Sequence, residues 1–493
     1  MSKTYTLSKS KYLNGLQCHK LLWMSYHAKE KFPAFDIQTQ ANFDQGHQVT
    51  KLACSLFPNG IEIKGADDFE GIVQETQKLI SLKKPLFEPG FRFKNTYARA
   101  DILSPNEDGS WDIYEVKSST EVKDVYYPDV AFQKYCYEGA GLRIRKTFLT
   151  YINNQYVKNG DINPKEFFIH EDITEIINGM MGSVEKNIRE MIDILNQSTC
   201  PDVKIGLQCD DPYECPLKII CWDFLPEESV FILNRIRKKK AFELLDKQIL
   251  AIKDVTSDVQ LTESQRIQWQ CHNERKVHID SAAIKSFLRQ LQLPLYFLDF
   301  ETVNPGIPFY NLTRPYQKIP FQFSLHILKS WDEEPEHHAF LADGKEDPRP
   351  ELLSLLKSLV VGKGSIVSYN MSFELSVLRE SIEAYSEYRN WFKDIESRFL
   401  DLIVPFRNFN YYDPKQMGRT SIKNVFPALT GGSYEGMEIA GGDIASIEFA
   451  RITFSEGIKE EEKRKIRKGL EDYCKLDTQA MISVLKVLKR VAG

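Results

Sequence analysis

The sequence predicts two α/β domains in series, and three observations predict it. Its 493 residues exceed what one ordinary hydrophobic core supports. Short apolar strands interleave with helix-period stretches twice, over residues 61–195 and again beyond residue 294. Each of these stretches carries its own carboxylates on a strand. The boundary is expected at residues 285–293, giving an N-terminal domain over 1–230, a mainly helical connector over 231–290 and a C-terminal domain over 291–493.

Hydrophobic residues make up 42% and charged residues 27% of the chain, and the formal net charge is −5. These are the values of a globular chain. No run reaches the length of a membrane span, and Met1–Lys9 lacks the apolar core of a signal peptide. A cytoplasmic protein with no membrane partner is expected. There is no global positive field, so nucleic-acid contact would come from local grooves. The basic run Arg235–Lys240 is one candidate, with a solvated helix face as the alternative.

Helices are expected over Lys11–Tyr26 and Phe43–Leu56. A β-hairpin follows: Asp101-Ile102-Leu103, a turn at Asn106–Gly109, then Trp111–Lys117. Period-two alternation puts Glu115 and Lys117 on one face, where Asp101 can meet them. Two carboxylates and one ammonium suit Mg²⁺ or Mn²⁺ against a phosphate, with the lysine placed to orient or deprotonate water. Pro128–Gly139 reads as a helix with proline in its first turn, and Gln133 and Tyr137 share a face at i, i+4. A strand over Thr147–Ile152 and a helix over Ile173–Leu195 follow.

Among nine cysteines, Cys18 stands near the N-terminus, and Cys209, Cys215 and Cys221 recur at six-residue intervals. In a reducing compartment these suggest metal ligands or free thiols before disulfides. Cys54, Cys136, Cys200, Cys271 and Cys474 read as small buried hydrophobes. Helices are expected at Ser229–Leu245 and Ser281–Leu291, and Pro294 ends that stretch.

The strand Leu295–Thr302 places Asp299 and Glu301 at i, i+2 on one side, which an apolar strand tolerates when a cation compensates them. Ser365–Asn370 reads as a strand leading into a helix with Glu374 in its first turn. Tyr473 and Asp477 share a face of a later helix. Asp401 reads as structural, and Ser421-Ile422-Lys423 as a loop within reach of a phosphate.

The ordered set Asp101, Glu115-x-Lys117 and Gln133-x-x-x-Tyr137 resembles the RecB-like branch of the PD-(D/E)XK nucleases, which have a restriction-endonuclease-like fold. The resemblance implies that Asp101 and Glu115 hold metal, Lys117 serves the water, and Gln133 and Tyr137 support substrate and site geometry. Relatives add an upstream histidine ligand, for which His47 is the nearest candidate, at a spacing that departs from the pattern. One early and three late cysteines resemble the iron–sulfur subgroup. That likeness implies a 4Fe-4S cluster on Cys18, Cys209, Cys215 and Cys221. The late trio lacks the usual opening Cys-x-x-Cys, and a Zn²⁺ site remains the rival.

Asp299-x-Glu301, Asn370-x-x-x-Glu374 and Tyr473-x-x-x-Asp477 resemble the DEDD exonucleases of the DnaQ-like, RNase H-fold superfamily. The resemblance implies metal ligation by Asp299, Glu301, Glu374 and Asp477, a water-positioning Tyr473, and Asn370 touching substrate or bracing the site. Glu374 departs from the family's aspartate, being one methylene longer. The pairing is similar to an uncharacterised bacterial family of fused nucleases. What it implies is metal-dependent hydrolysis of DNA from an end, so that nucleic acid, DNA before RNA, is the expected partner. A 3′→5′ RNA exonuclease and a non-catalytic nucleic-acid-binding adaptor are the rival expectations.

Overall fold

The structure is a computed structural model that describes residues 5–64 and 68–493. Of the polar N-terminal stretch read above, Met1–Thr4 lie outside the described residues. The chain is mixed α/β and divides into two units. One comprises Met1–Phe224 with Pro305–Tyr316, the other Leu225–Asn304 with Gln317–Gly493. The helical stretch 231–290 therefore belongs to the second unit, and a twelve-residue excursion from the later half belongs to the first. Among the described residues no helix is long and apolar enough to cross a membrane.

In the first unit a six-stranded mixed sheet runs in the order Ile61–Glu62, Leu86–Phe87, Ile102–Pro105, Trp111–Lys117, Ile144–Ile152 and Phe168–Asp172. A smaller sheet holds Leu7–Ser8, Thr96–Arg99 and Gly90–Phe93. The expected hairpin forms, with Leu103 opposite Ile113 and Pro105 opposite Trp111. Its turn closes through the Gly109 amide on the Asn106 carbonyl, with Gly109 at φ 77°, a conformation that favours glycine. The helices Tyr127–Gly139 and Thr174–Leu195 pack on each other. Phe132, Tyr137, Ile113 and Val184 are buried in their shared core.

In the second unit five strands run in the order Glu336–Leu341, Ile319–Leu328, Leu295–Val303, Ile366–Ser368 and Phe399–Asp401. The first two pairings are antiparallel and the last two parallel. The helix Glu460–Ala492 lies on the two longest strands. Polar residues of the Ile319–Leu328 strand fix the helix register: Gln322 donates to the Leu470 carbonyl at 2.9 Å, while Ser324 and His326 share the Thr478 hydroxyl at 2.7 and 2.8 Å.

Two expected helices differ. Lys11–Tyr26 is two helices, Lys9–Gln17 and His19–His27, broken at Cys18 in extended conformation. Over Ser229–Leu245 only Lys238–Asp246 is α-helical, after a 3₁₀ turn at Val230–Ile232. Arg235 at φ 49° interrupts the pattern, and Gln268 accepts the Asn234 amide at 2.7 Å. A tertiary partner has replaced a helical one.

Candidate functional site

Asp101 sits where the chain passes from the smaller sheet to the larger. Its Oδ2 accepts the Val116 amide at 2.7 Å, so the aspartate is tied to the strand that carries Glu115. Glu115 is 2% exposed. Its Oε1 accepts from Lys117 at 2.7 Å and from Lys9 at 2.9 Å, and its Oε2 accepts from Gln133 at 2.7 Å. Asp129 completes the network by accepting from Lys117 at 2.7 Å and from Gln133 at 2.8 Å. Asp101, Glu115, Lys117 and Gln133 thus converge.

Sequence reading missed Lys9 and Asp129. A signal for Asp129 was present, because Asp129, Gln133 and Tyr137 repeat every fourth residue along one helix face. None pointed to Lys9, which lies 106 positions from Glu115. Tyr137 is buried, with its hydroxyl taking the Ala100 amide at 2.8 Å and donating to the Pro89 carbonyl. It braces the backbone before Asp101 rather than facing a ligand. His47 is exposed on the helix Ile37–Cys54 and borders a cavity of about 800 Å³ with Lys51, Phe87 and Glu88. Among the described residues no hydrogen bond or ion pair joins it to Asp101 or Glu115.

Three carboxylates here face two ammonium groups. Burial pushes Glu115 up, but Lys117 and Lys9 outweigh it and hold the carboxyl well below its usual range. Burial, then the charge of Glu115, pushes Asp101 up to about 7. Burial alone would lower Lys117, yet Asp129, Glu115 and Asp101 hold it well above its usual value. These carboxylates favour the ammonium form of Lys117, which can donate and orient. Gln133 Oε1 is buried without a partner. Surplus negative charge, hard oxygen donors and an orphaned acceptor fit a divalent cation at Asp101 and Glu115.

In the second unit Asp299 stands opposite Ser324 and Glu301 opposite Gln322, with a bulge just after Glu301. The Thr478 hydroxyl on Ser324 brings the neighbouring Asp477 to the same end. Asp477 accepts from the Tyr434 hydroxyl at 2.6 Å and is hydrogen-bonded by Tyr473. Glu374 is 2% exposed, and its Oε2 has no partner. Burial pushes all four carboxyls upward. Asp477 adds to this at Asp299, Asp299 and Asp477 at Glu301, and Asp299 at Glu374. The Lys423 ammonium opposes the shift at Asp299, Glu301 and Asp477. It donates to the Ala440 carbonyl and lies 5.2 Å from the Tyr473 ring centre.

Cys474 departs from its expected role as a buried hydrophobe. It is buried, but its Sγ stands 3.6 Å from Asp299 Oδ2. Ligand atoms of Asp299, Glu301 and Cys474 lie within 4.8 Å of one another. Buried, mutually repelling oxygens with an orphaned Glu374 oxygen fit divalent cations, and the adjacent sulfur adds a softer donor. Asn370, at φ 74°, is exposed. Its side chain accepts from Ser372 and Arg407, while its amide donates to Asp401 at 2.8 Å. It braces the turn before Glu374 through Asp401, whose charge also pushes the Glu374 carboxyl up. Lys423 lies in the helix Ile422–Thr430 rather than in a loop.

Cys18, Cys209, Cys215 and Cys221 line one small cavity. All four are free thiols. Burial pushes Cys215 up to about 11, and neighbouring thiols add to this. Among the described residues three metal-ligand atoms meet within 4.8 Å only at Asp299, Glu301 and Cys474. Four thiols around one cavity fit a metal group, either an iron–sulfur cluster or zinc.

Residues 296–421 match a family described as Domain of unknown function (DUF2779). The match includes Asp299, Glu301, Asn370 and Glu374 and ends before Tyr473 and Asp477. No curated protein matches the chain. Among solved structures it is similar to the crystal structure of SSO0001, at 14% identity and a TM-score of 0.25, over 46% of this chain and 90% of that chain.

Proposed function

We propose that the chain is a two-site, metal-dependent nuclease acting on DNA, with a RecB-like PD-(D/E)XK unit and a DnaQ-like, RNase H-type unit. The observation that carries this reading is the same in both units: carboxylates remote in sequence meet in a buried cluster with uncompensated negative charge. The strand order of the second unit, two antiparallel pairings followed by two parallel ones with the Asp299 strand in the middle, supports the RNase H-type reading.

Asp101 and Glu115 would hold Mg²⁺ or Mn²⁺ in the first unit, and Asp299, Glu301, Glu374 and Asp477, with Cys474 adjoining, in the second. When bound, such ions supply positive charge to the phosphate oxygens at the scissile bond. Lys117 donates a hydrogen bond to orient the attacking water or a phosphate oxygen, held in place by Glu115 and Asp129. Gln133 aligns Glu115 and Asp129. Tyr473 aligns water in the second unit through Asp477. A 4Fe-4S cluster on Cys18, Cys209, Cys215 and Cys221 would join the beginning and end of the first unit's main segment.

The test is cleavage of end-labelled single- and double-stranded DNA and RNA with Mn²⁺, using the full chain, Lys117→Ala, Asp299→Ala and the double variant. Each single variant should remove part of the DNA cleavage and the double variant all of it. Undiminished cleavage by the double variant would sink both assignments, and cleavage of RNA alone would replace the substrate.

A further inference from the structure

The first unit contains a stretch of chain that no motif points to. Residues 305–316 leave the Leu295–Val303 strand, pack within the first unit and return to the Ile319–Leu328 strand. Backbone bonds pair Lys158 with Leu312 and Thr313 at 2.9 and 3.0 Å. The Lys158 ammonium donates to the Phe309 carbonyl at 2.8 Å, and the Gly160 amide to Asn311 at 2.9 Å. Ile307 and Tyr316 pack against the core that contains Val116 and Ile102.

Tyr316 is the informative residue. The Trp111–Lys117 strand pairs with its neighbour as far as Lys117 opposite Tyr151. Past that register the Ser119 carbonyl still accepts the Ile152 amide at 2.9 Å, and between them the Ser118 carbonyl accepts the Tyr316 hydroxyl. Gln45 donates to that hydroxyl at 3.3 Å and accepts the Gly306 amide at 2.9 Å. A Cβ on Gly306 would stand 2.9 Å from the Tyr316 hydroxyl and 3.2 Å from Gln45, so a side chain there would press on the network. Tyr316 itself is held at φ 60°. A bulky residue in the left-handed region persists where its surroundings over-determine it, and such residues cluster at functional sites.

We propose that residues 305–316 are a positioning element of the first site, in which the Tyr316 hydroxyl fixes the strand end that presents Lys117. The proposal rests on the nuclease reading of that site for its activity arm only. Tyr316→Phe removes one oxygen and keeps the ring in its core. In the full chain carrying Asp299→Ala, Mn²⁺-dependent DNA cleavage should fall on the order of ten-fold in kcat with KM unchanged. Backbone amide exchange should accelerate across Lys117–Ser119 and stay unchanged in the Thr174–Leu195 helix. Unchanged kcat together with unchanged exchange overturns the proposal, as does a change in KM alone or faster exchange throughout the unit. If Asp299→Ala by itself abolishes all cleavage, the nuclease reading of the first site fails. Amide exchange then decides the positioning claim: acceleration confined to Lys117–Ser119 supports it, and none overturns it.

Discussion

Asp101, just before the Ile102–Pro105 strand, is tied to the strand that carries Glu115, yet their surroundings push the two carboxyls in opposite directions. Glu115 is met by two ammonium groups, whereas Asp101 meets a backbone amide and the charge of Glu115. The folded pKa of Asp101 is about 7, above the ordinary 3.8 of an unfolded chain. The folded state thus binds the proton more tightly, and stability falls as pH rises from the ordinary carboxylate range through 7. Asp101→Asn keeps the acceptor for Val116 and removes the charge. In chelator it should melt several degrees above the parent at pH 8 and converge with it at pH 4. Parallel melting curves at every pH would contradict this electrostatic account. Strand alternation made Asp101, Glu115 and Lys117 legible in the sequence. Cys474 was not, because a buried thiol looks the same whether it only packs or faces a carboxylate. A sulfur donor favours soft cations, so Cys474→Ser should weaken Cd²⁺ binding about ten-fold or more while Mg²⁺ binding shifts little. Calorimetry with each ion separates the two, and equal weakening would remove Cys474 from the ligand set.

At the scale of elements, the Glu460–Ala492 helix shows how placement is achieved. Its length was not marked by any motif, but its register matters: one step along the helix would turn Asp477 away from Asp299. Thr478 sets that register by hydrogen bonding Ser324 and His326 on the strand beside Asp299. Thr478→Val keeps the volume and leaves the buried His326 Nδ1 without its partner. The expected cost is about 1–3 kcal/mol in denaturant unfolding, with weaker metal binding by the second unit. Unchanged stability and affinity would assign the register to apolar packing alone. The Asp101–Lys117 hairpin and the strands at 147–152, 295–302 and 365–370 were readable because alternation and apolar runs are local signals, whereas Ile319–Leu328 and Glu336–Leu341 went unread. The break at Cys18 was not readable either, since Lys11–Tyr26 keeps an unbroken helical pattern in sequence and the extended Cys18 turns its thiol toward partners about two hundred residues away. The same holds for Arg235, whose left-handed conformation depends on partners outside its own segment.

For the whole molecule, the main difference from the expected order of domains is that the chain passes between units at Phe224, Asn304 and Tyr316. Composition carries no trace of the excursion at 305–316, because the side chains that hold it, Gln45, Lys158, Asn311 and Tyr316, find partners remote in sequence that no local pattern marks. Each unit keeps its own core, so each should respond separately to a change at its own candidate site. The thiol cavity gathers Cys18 with three cysteines near the end of the first unit's main segment, and a metal group bound there would link distant parts of the chain and stabilise the folded state. Burial holds Cys215 and Cys221 protonated in the metal-free chain, so ligation must displace protons and tighten as pH rises. Cys18→Ser in the full chain should therefore lose the visible absorbance of an iron–sulfur group and lower the melting of the first unit by several degrees. The melting of the second unit, followed through Trp331 and Trp391, should not move. A Cys18→Ser chain with unaltered absorbance and melting would leave the four thiols as packing residues and remove the metal group from the first unit.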